Sequence, residues 1–423
     1  MTPDEAAHAP PAVTMADAWP TWLSIGATGF GGPAAQVALL HREVVERRRW
    51  LDEEEFVAGL RLCTLLPGPE AQQLATYAGW RLHGIAGGLL AGTLFVLPGA
   101  VLVTLLAWMH TVGQSLPLVA AAFAGTRPAA VALVAMAVWR IGRKSLCSPL
   151  TIAIAAAAGA GLAAGAPFPW VVAAAAAVGG LGWLLERRGP PGDPTPAVGP
   201  FLAGPLARHA LLVALVAAGV WAASYRVVTA TRCAGGRGPE IATLFTETTL
   251  LSLGGAYAVV PWALDEAVER RWLEPRERPD ALAMGEATPG PLILVVTFIA
   301  YLAGWRAAGG PAAGFEAAAV ATWFAFLPSF AMIFAFAPGI RRIRTGSLLA
   351  RAMEAIGAAV VAAIVILALT MGRACLVPEG RLDGFAIAVA VASGLALACR
   401  WLPAPAVVLG AAAIGVATRA IGG

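Results

Sequence analysis

LPGPEAQQLATYAGWR, from Leu66 to Arg81, is echoed later in the chain by TPGPLILVVTFIAYLAGWR, from Thr288 to Arg306. Each stretch opens on Pro-Gly-Pro, continues as an apolar run and closes with Gly-Trp-Arg. Proline lacks the backbone N–H that a helix needs, and glycine is the poorest ordinary helix former. The two stretches therefore predict a pair of broken helices at matched positions in the chain.

Composition assigns the surrounding chain to a membrane. Of the 423 residues, 59% are hydrophobic and 13% are charged, whereas an ordinary soluble domain has about 25% charged residues. Apolar runs of about 17–25 residues recur, and these are long enough to cross a hydrocarbon core about 30 Å thick. We therefore predict an all-α polytopic membrane protein in a lipid bilayer.

Breakers divide the apolar sequence into about thirteen candidate spans. Six lie at 20–40, 57–80, 85–110, 117–139, 149–165 and 168–185, and a single span lies near 207–225. Six more follow at 240–263, 281–305, 312–337, 348–371, 383–399 and 403–420. The predicted organisation is a disordered tail over 1–19, a membrane repeat over 20–186, a linker with one connecting span over 187–239, and a second repeat over 240–423.

Further marks repeat in the same order in both halves. GFGG (Gly29–Gly32) corresponds to SLGG (Ser252–Gly255), ERRRWL (Glu46–Leu51) to VERRWL (Val268–Leu273), and LFVLPGA (94–100) to FAFLPSF (324–330). Six spans per half and one linking span put an odd number of crossings between equivalent positions. This predicts two inverted six-span repeats with broken helices at the midplane, as in many secondary transporters. Loop arginines predict that the N-terminus lies on the cytoplasmic side. The Ala/Arg/Gly/Pro bias is typical of a GC-rich bacterial genome, so we expect the bacterial inner membrane.

The breaks are the candidate binding site. A broken helix presents free backbone N–H groups carrying about half a positive charge, and glycine lets an anion approach the backbone closely. The alternative is a kink that only shapes packing. The predicted site for a small oxyanion comprises Thr28, Gly29, Gly31, Gly32, Pro67, Gly68, Pro69 and Gln73 from the first half, and Ser252, Gly254, Gly255, Thr288, Pro289, Gly290 and Pro291 from the second.

Three charged residues within the spans are further candidates, because charges inside a bilayer are costly. Arg127 either lines the anion path or forms a snorkelling or interhelical salt-bridge contact. Glu70 either couples protons or only stabilises the helix that it begins. Glu354 is a second candidate for ion coupling, in the region of the second half that corresponds to Arg127.

Other chemistries have little support. The five cysteines are scattered without metal-ligand spacing, and no nucleotide-binding or hydrolase fingerprint occurs in a fitting context. We therefore expect no metal, no cofactor, no nucleic-acid partner and no enzymatic activity. The stretch His41–Phe56 is interpreted as an interfacial helix.

The marks around the breaks resemble those of the chromate ion transporter family, in its long, two-domain form. Its F-G-G-P signature is matched at Phe30–Pro33 and its L-P-G-P-x-x-x-Q signature at Leu66–Pro69 with Gln73. The second half departs, since Ala256 stands in place of Pro33 and the glutamine is missing. The resemblance implies export of chromate, with sulfate as a mimic, coupled to protons or a counter-anion and conferring chromate resistance.

Three alternatives remain open on the sequence alone. The same scaffold could serve as an oxyanion channel or as a sulfate importer. A membrane-embedded transferase could instead use the acidic cluster Asp52–Glu55 with Arg47–Arg49. A homodimer is an open alternative to a monomer.

Overall fold

A computed structural model describes residues 13–113, 116–186, 204–342 and 347–422. Within these residues the regular structure is entirely helical, as predicted. The helices are α1 (Met15–Thr28), α2 (Gly32–His41), α3 (Glu53–Leu65), α4 (Glu70–Gly113), α5 (Pro117–Ser145), α6 (Pro149–Ala163), α7 (Phe168–Glu186), α8 (Pro205–Ala230), α9 (Gly238–Leu250), α10 (Ala256–Glu269), α11 (Arg278–Ala287), α12 (Val295–Ala308), α13 (Pro311–Phe336), α14 (Ser347–Leu376), α15 (Gly384–Ala398) and α16 (Ala404–Gly422).

Five helical segments in the described residues are long and apolar enough to cross a membrane. They are Glu70–Gly113, Pro117–Ser145, Pro205–Ala230, Pro311–Ile340 and Ala350–Leu376. Shorter apolar helices accompany them, at Pro149–Ala163, Phe168–Gly182, Leu292–Ala308, Gly384–Ala398 and Ala404–Ala420. The chain is thus a multi-pass membrane protein.

Four of the predicted spans are pairs of short helices rather than single crossings. The runs 20–40, 57–80, 240–263 and 281–305 are each interrupted where the sequence places its glycine or Pro-Gly-Pro break. The half-helices on either side have 10–14 regular residues, which is about 15–21 Å and too short to cross. The breaks are confirmed, and the interpretation of these runs as single spans is corrected.

The two half-helices around the first Pro-Gly-Pro fold back on each other. A Cβ at Gly59, in α3, would lie 2.5 Å from the Tyr77 ring, in the part of α4 beyond the break. Glu55, near the start of α3, accepts a hydrogen bond from Arg81. Because Glu55 and Arg81 stand at opposite ends of this stretch, the chain enters and leaves on the same side.

The second half makes the same closing contact. Arg306 Nη2 lies 2.7 Å from a carboxylate oxygen of Glu277, which directly precedes α11. The arginine of each Gly-Trp-Arg therefore pairs with a glutamate at the start of the preceding half-helix. This ion pair explains why the tripeptide recurs after each Pro-Gly-Pro.

The glycine breaks also bend the chain back. The ring centroids of Trp22, in α1, and Trp50, beyond α2, are 5.4 Å apart. The corresponding centroids of Phe245 and Trp272, on either side of the second glycine break, are 6.2 Å apart. Each half thus begins with two folded-back pairs of half-helices.

Helix α4 is two arms joined at His83 and Gly84, whose backbone is not helical. A Cβ at Gly79 would lie 2.3 Å from the carbonyl oxygen of Gly87, so the 70–82 arm packs against the 85–113 arm. The 85–113 arm then packs antiparallel to its second-half counterpart α13. Gly88 meets the ring of Phe334 and Gly92 meets the ring of Phe330, so later residues of one helix meet earlier residues of the other.

The first helix begins earlier than the sequence suggests. Residues 1–19 are predicted to be a disordered tail, yet α1 starts at Met15 because the Thr14 side chain caps it, accepting a hydrogen bond from Asp17 N. Residues 1–12 lie outside the described residues, as does most of the proline-rich linker. The connecting span predicted near 207–225 is present as α8.

Candidate functional site

The glycine break of the first half meets the Pro-Gly-Pro break of the second. The backbone N–H of Gly290 donates to the carbonyl oxygen of Gly29 over 3.0 Å. The buried amide of Gln36 spans the same junction, donating to Gly29 O over 3.0 Å and to Gly290 O over 2.6 Å. Irregular backbone from both halves is therefore joined at one point, here named the knot (Gly29, Gln36 and Gly290).

Each Pro-Gly-Pro also packs against the long helix of the other half. A Cβ at Gly99, in the 85–113 arm, would lie 2.0 Å from the carbonyl oxygen of Pro289. Correspondingly, a Cβ at Gly68 would lie 2.6 Å from the hydroxyl of Ser329, in α13. Gly99 and Ser329 are equivalent positions of the two halves, so the halves interlock reciprocally.

These contacts occupy several groups predicted to face an anion. The N–H of Gly290 serves the knot rather than a ligand. The amide nitrogen of Gln73 donates to Pro67 O over 2.8 Å, which holds the first Pro-Gly-Pro turn closed. The Ser252 hydroxyl donates to Thr249 O, and the Thr28 hydroxyl to Ser24 O. The polar groups of the Pro-Gly-Pro motifs are thus used mainly to hold the protein together.

The glycine pairs have a different environment. Gly31 and Gly32, with φ of +94° and +78°, and Gly254 and Gly255, with +85° and +104°, adopt backbone that favours glycine. A Cβ at Gly32, Gly254 or Gly255 would meet no atom within 4 Å. Gly31 and Gly254 are exposed. The exposed glycines Gly31 and Gly254 thus precede the N-termini of α2 and α10, whereas Gly255 and the Pro-Gly-Pro glycines Gly68 and Gly290 are buried.

The depth of the glycine breaks in the membrane determines whether the space beside them holds water or lipid. A Cβ at Gly26, three residues before the first break, would lie 2.2 Å from the carbonyl oxygen of Leu94. Leu94 is about 14 Å from the start of the 85–113 arm, which is about 43 Å long, so the first break lies beside the interior of a crossing helix. Irregular backbone at that depth is stable only inside protein or against water, never against lipid. Gly31 and Gly254 are the exposed members of the two pairs, and that they line an aqueous path stays a prediction.

Arg127 has a partner that the sequence did not suggest. Its Nε and Nη2 lie 2.9 and 3.0 Å from the two carboxylate oxygens of Asp280, which is 0% exposed. His110 Nε2 lies 3.2 Å from the same carboxylate. Of the interpretations that the sequence left open, the interhelical salt bridge is observed. A direct role in the anion path stays a prediction.

The two predicted ion-coupling residues lie apart. Glu70 is half-buried at the start of α4, directly after the first Pro-Gly-Pro. Glu354, in α14, lies 3.3 Å from Arg351 and beside Ser148 and Gly179 of the first half, away from the breaks. The structure therefore brings Glu70, but not Glu354, to the candidate site.

A large cavity between the two long helices of the halves is not suited to an anion. It has a volume of about 540 Å³, lies between the 85–113 arm and α13, and has an apolar lining that includes Leu97, Val101 and Phe326. Its polar groups are threonine hydroxyls and the Trp323 ring nitrogen. A dianion placed there would lose its hydration without charged or backbone donors in return.

Sequence reasoning missed four residues at these junctions. Gln36 stands three residues after the F-G-G-P signature, and Gly99 and Ser329 stand within LFVLPGA and FAFLPSF, so the repeated motifs pointed to their neighbourhood. Asp280 carried none, because its neighbours in EPRERPDA are polar and the segment resembled a loop.

Several membrane-crossing helices, with broken helices joined between two similar halves, define a membrane transport protein. Comparison with known proteins identifies the kind. The chain belongs to the chromate transporter family, whose model matches residues 16–181 and 239–416.

Relatives of similar length carry matching names. The chain is 31% identical to the chromate transport protein of Pseudomonas aeruginosa, over 93% of this chain and 89% of the relative. It is 28% identical to the chromate transport protein of Cupriavidus metallidurans, over 97% and 94%. It is 29% identical to a probable chromate transport protein of Synechococcus elongatus, over 98% of both. No solved structure matches the chain significantly.

Proposed function

We propose that the protein is a secondary active transporter that exports chromate and similar tetrahedral oxyanions across the bacterial inner membrane, and so confers resistance. Family membership supports the substrate class. The single observation that favours a transporter over an enzyme is the knot, where Gly290 N–H donates to Gly29 O between the halves. Relative movement of the halves must open or reshape this contact.

The proposed architecture is an inverted repeat. Nine crossing helices (the 85–113 arm, α5–α8 and α13–α16) and four folded-back half-helix pairs replace the thirteen spans. Five crossings then separate equivalent positions, and this odd number still inverts the second half. The antiparallel packing of the 85–113 arm against α13 supports inversion. The N-terminus is placed in the cytoplasm.

The anion is placed at the glycine pairs. The N-termini of α2 and α10 carry backbone N–H groups without helical partners, apart from Pro33, which has no N–H, and Ala258 N, which donates to Gly255 O. The positive dipole ends of both helices face the aqueous path. Neutral donors of this kind hold a dianion without a fixed cation and release it readily. The Pro-Gly-Pro joints and Gln36 keep the two N-termini in place.

Inversion is tested by labelling single cysteines introduced at Arg49 and Arg271 in an otherwise cysteine-free chain. These residues occupy equivalent loops, and both have positive φ, at 54° and 59°. A membrane-impermeant thiol reagent added to whole cells should label one position but not the other. Labelling of both positions from the same side would refute the inverted arrangement.

Transport is tested with radiolabelled chromate and everted membrane vesicles. We expect accumulation that requires an ion gradient or membrane potential and that sulfate reduces by competition. Gln36→Leu should abolish it, because the knot loses two hydrogen bonds. Thr418→Val, which also replaces a polar side chain by an apolar one but at an exposed position in α16, is the control. Gradient-independent flux would instead identify a channel.

A further inference from the structure

The second half carries a buried carboxyl group immediately before its Pro-Gly-Pro break. Glu286 lies in the last turn of α11, two residues before Thr288. It is 7% exposed and accepts a hydrogen bond from the Tyr257 hydroxyl. Tyr257 is the second residue of α10, directly after the glycine pair Gly254–Gly255. The carboxyl and its partner thus join both breaks of this half.

The first half has no such pair. Counted from Trp50 and Trp272, the position equivalent to Glu286 is Thr64, whose hydroxyl donates to Leu60 O within its own helix. Tyr257 corresponds to an alanine, Ala34 or Ala35. Glu286 and Tyr257 therefore do not serve the packing that both halves share.

The described cationic side chains near Glu286 pair with other carboxylates or form no ion pair with it. Arg127 and His110 contact Asp280, Arg278 contacts Asp265, and Arg306 contacts Glu277. Arg140, in α5, acts on both Glu286 and Tyr257 through its charge. Among the described residues, no cationic nitrogen forms an ion pair with Glu286. Helices packed against α11 carry several charged or titratable groups: Arg127, Arg140, Arg143 and Lys144 in α5, His110 in the 85–113 arm, Tyr301 and Arg306 in α12, and Arg419 in α16. Arg276 and Glu277 directly precede α11, and Tyr257 and Asp265 of α10 contact its residues.

We infer that Glu286, held by Tyr257, is a proton-binding site coupled to the anion; this rests on the proposed oxyanion transport. A carboxylate beside the N-terminus of α10 would repel a dianion bound there, and a buried carboxylate without an ion pair is unfavourable. A proton from water binds one carboxylate oxygen and removes the repulsion. The proton returns to water when the anion leaves.

Anion and proton therefore move together. A dianion that carries one proton retains one negative charge, which an inside-negative membrane potential still drives outward. The direction of net transport then depends on the balance between that potential and the pH gradient.

The experiment measures the apparent KM for radiolabelled sulfate in proteoliposomes between about pH 6 and pH 8. Sulfate is the probe because it stays a dianion throughout, whereas chromate itself binds a proton near neutrality. Coupling to one proton predicts that KM rises about tenfold per pH unit at the alkaline end. Glu286→Gln should make KM independent of pH, while Glu247→Gln, an exposed carboxyl in α9, should retain the wild-type slope.

Two further measurements keep the outcomes distinct. Tyr257→Phe should move the pH at which KM begins to rise without changing the final slope, which tests the pair even if Glu286→Gln does not fold. In unbuffered detergent solution, a pH indicator should report about one proton taken up per sulfate bound by the wild type. A wild type that transports with a pH-independent KM, or a Glu286→Gln protein that keeps the slope, overturns the inference. A wild type that neither binds nor transports oxyanions refutes the proposed function itself.

Discussion

Replacing Gly68 should damage the protein more than replacing Gly290, although both stand at the centre of a Pro-Gly-Pro motif. Gly68 has φ of +131°, and a Cβ there would lie 2.4 Å from Gln73 Nε2 and 2.6 Å from Ser329 Oγ. Gly290 has φ of +94°, but its added Cβ would meet only the Leu294 Cδ1 methyl closely, at 3.1 Å. Alanine therefore strains the backbone at both sites and overpacks strongly only at the first.

The magnitudes follow from these two effects. Backbone strain at a position that favours glycine costs about 1–3 kcal/mol, and overpacking costs about 1–3 kcal/mol more. Gly68→Ala should thus lose about 2–6 kcal/mol of stability and Gly290→Ala about 1–3 kcal/mol. Ser329→Gly should restore part of the loss in Gly68→Ala, since it removes one of the two clashing atoms.

The assay compares the thermal unfolding midpoint of each purified protein in detergent with its chromate uptake in everted vesicles. Gly219→Ala is the control, because a Cβ at Gly219, within α8, would meet no atom within 4 Å. It should be neutral or stabilising by about 0.5–1 kcal/mol. Equal midpoints for Gly68→Ala and Gly290→Ala, or no rescue by Ser329→Gly, would refute the reasoning.

Three other outcomes are expected. Gly99→Ala should reduce stability and chromate uptake together, because its Cβ would lie 2.0 Å from a rigid backbone carbonyl; normal uptake would contradict the interlock. Arg127→Leu should lower the free energy of unfolding by about 3–5 kcal/mol, because it leaves the buried Asp280 without its guanidinium partner. Adding Asp280→Asn should recover that stability. Chromate uptake that stays lost in the double variant would indicate a direct role of Arg127 in transport. The hydrogen bond to Glu53 raises the pKa of His41 above 6.5, so the pair stabilises the protein fully below about pH 6.5 and loses this effect as pH rises through the raised pKa. Because the Glu53 side chain is 66% exposed, the effect should be small. The difference in unfolding midpoint between wild type and His41→Gln should therefore be present at acidic pH and absent at alkaline pH.

The breaks themselves could be predicted from sequence because proline and glycine act locally. The fold-back at Leu66–Pro69 could not, since a run such as 57–80 has the length and hydropathy of a crossing helix whether it crosses or returns. The contacts of Gly59 with Tyr77 and of Glu55 with Arg81 decide between the two.

Contacts between residues far apart in the chain could not be predicted from the sequence either. The pairing of Arg127 with Asp280 joins residues from different halves, and Asp280 stands among charged neighbours that resemble a loop. The knot joins Gly29 to Gly290 through backbone atoms, which no side-chain pattern can report. What the repeat did predict correctly was that the same local breaks occur twice.

The ion pairs that close the folded-back helices also bear on biogenesis. Glu55–Arg81 and Glu277–Arg306 keep both ends of each pair at one membrane face, so no polar loop crosses the bilayer there. A helix of 13 residues such as α3 spans only about 20 Å and leaves its broken end unsatisfied in lipid. We therefore expect the folded-back half-helices to remain at the membrane–water interface during synthesis. They would enter the membrane only after the 85–113 arm and α13 have inserted. Insertion of the candidate binding region would then be a late event that requires both halves of the chain.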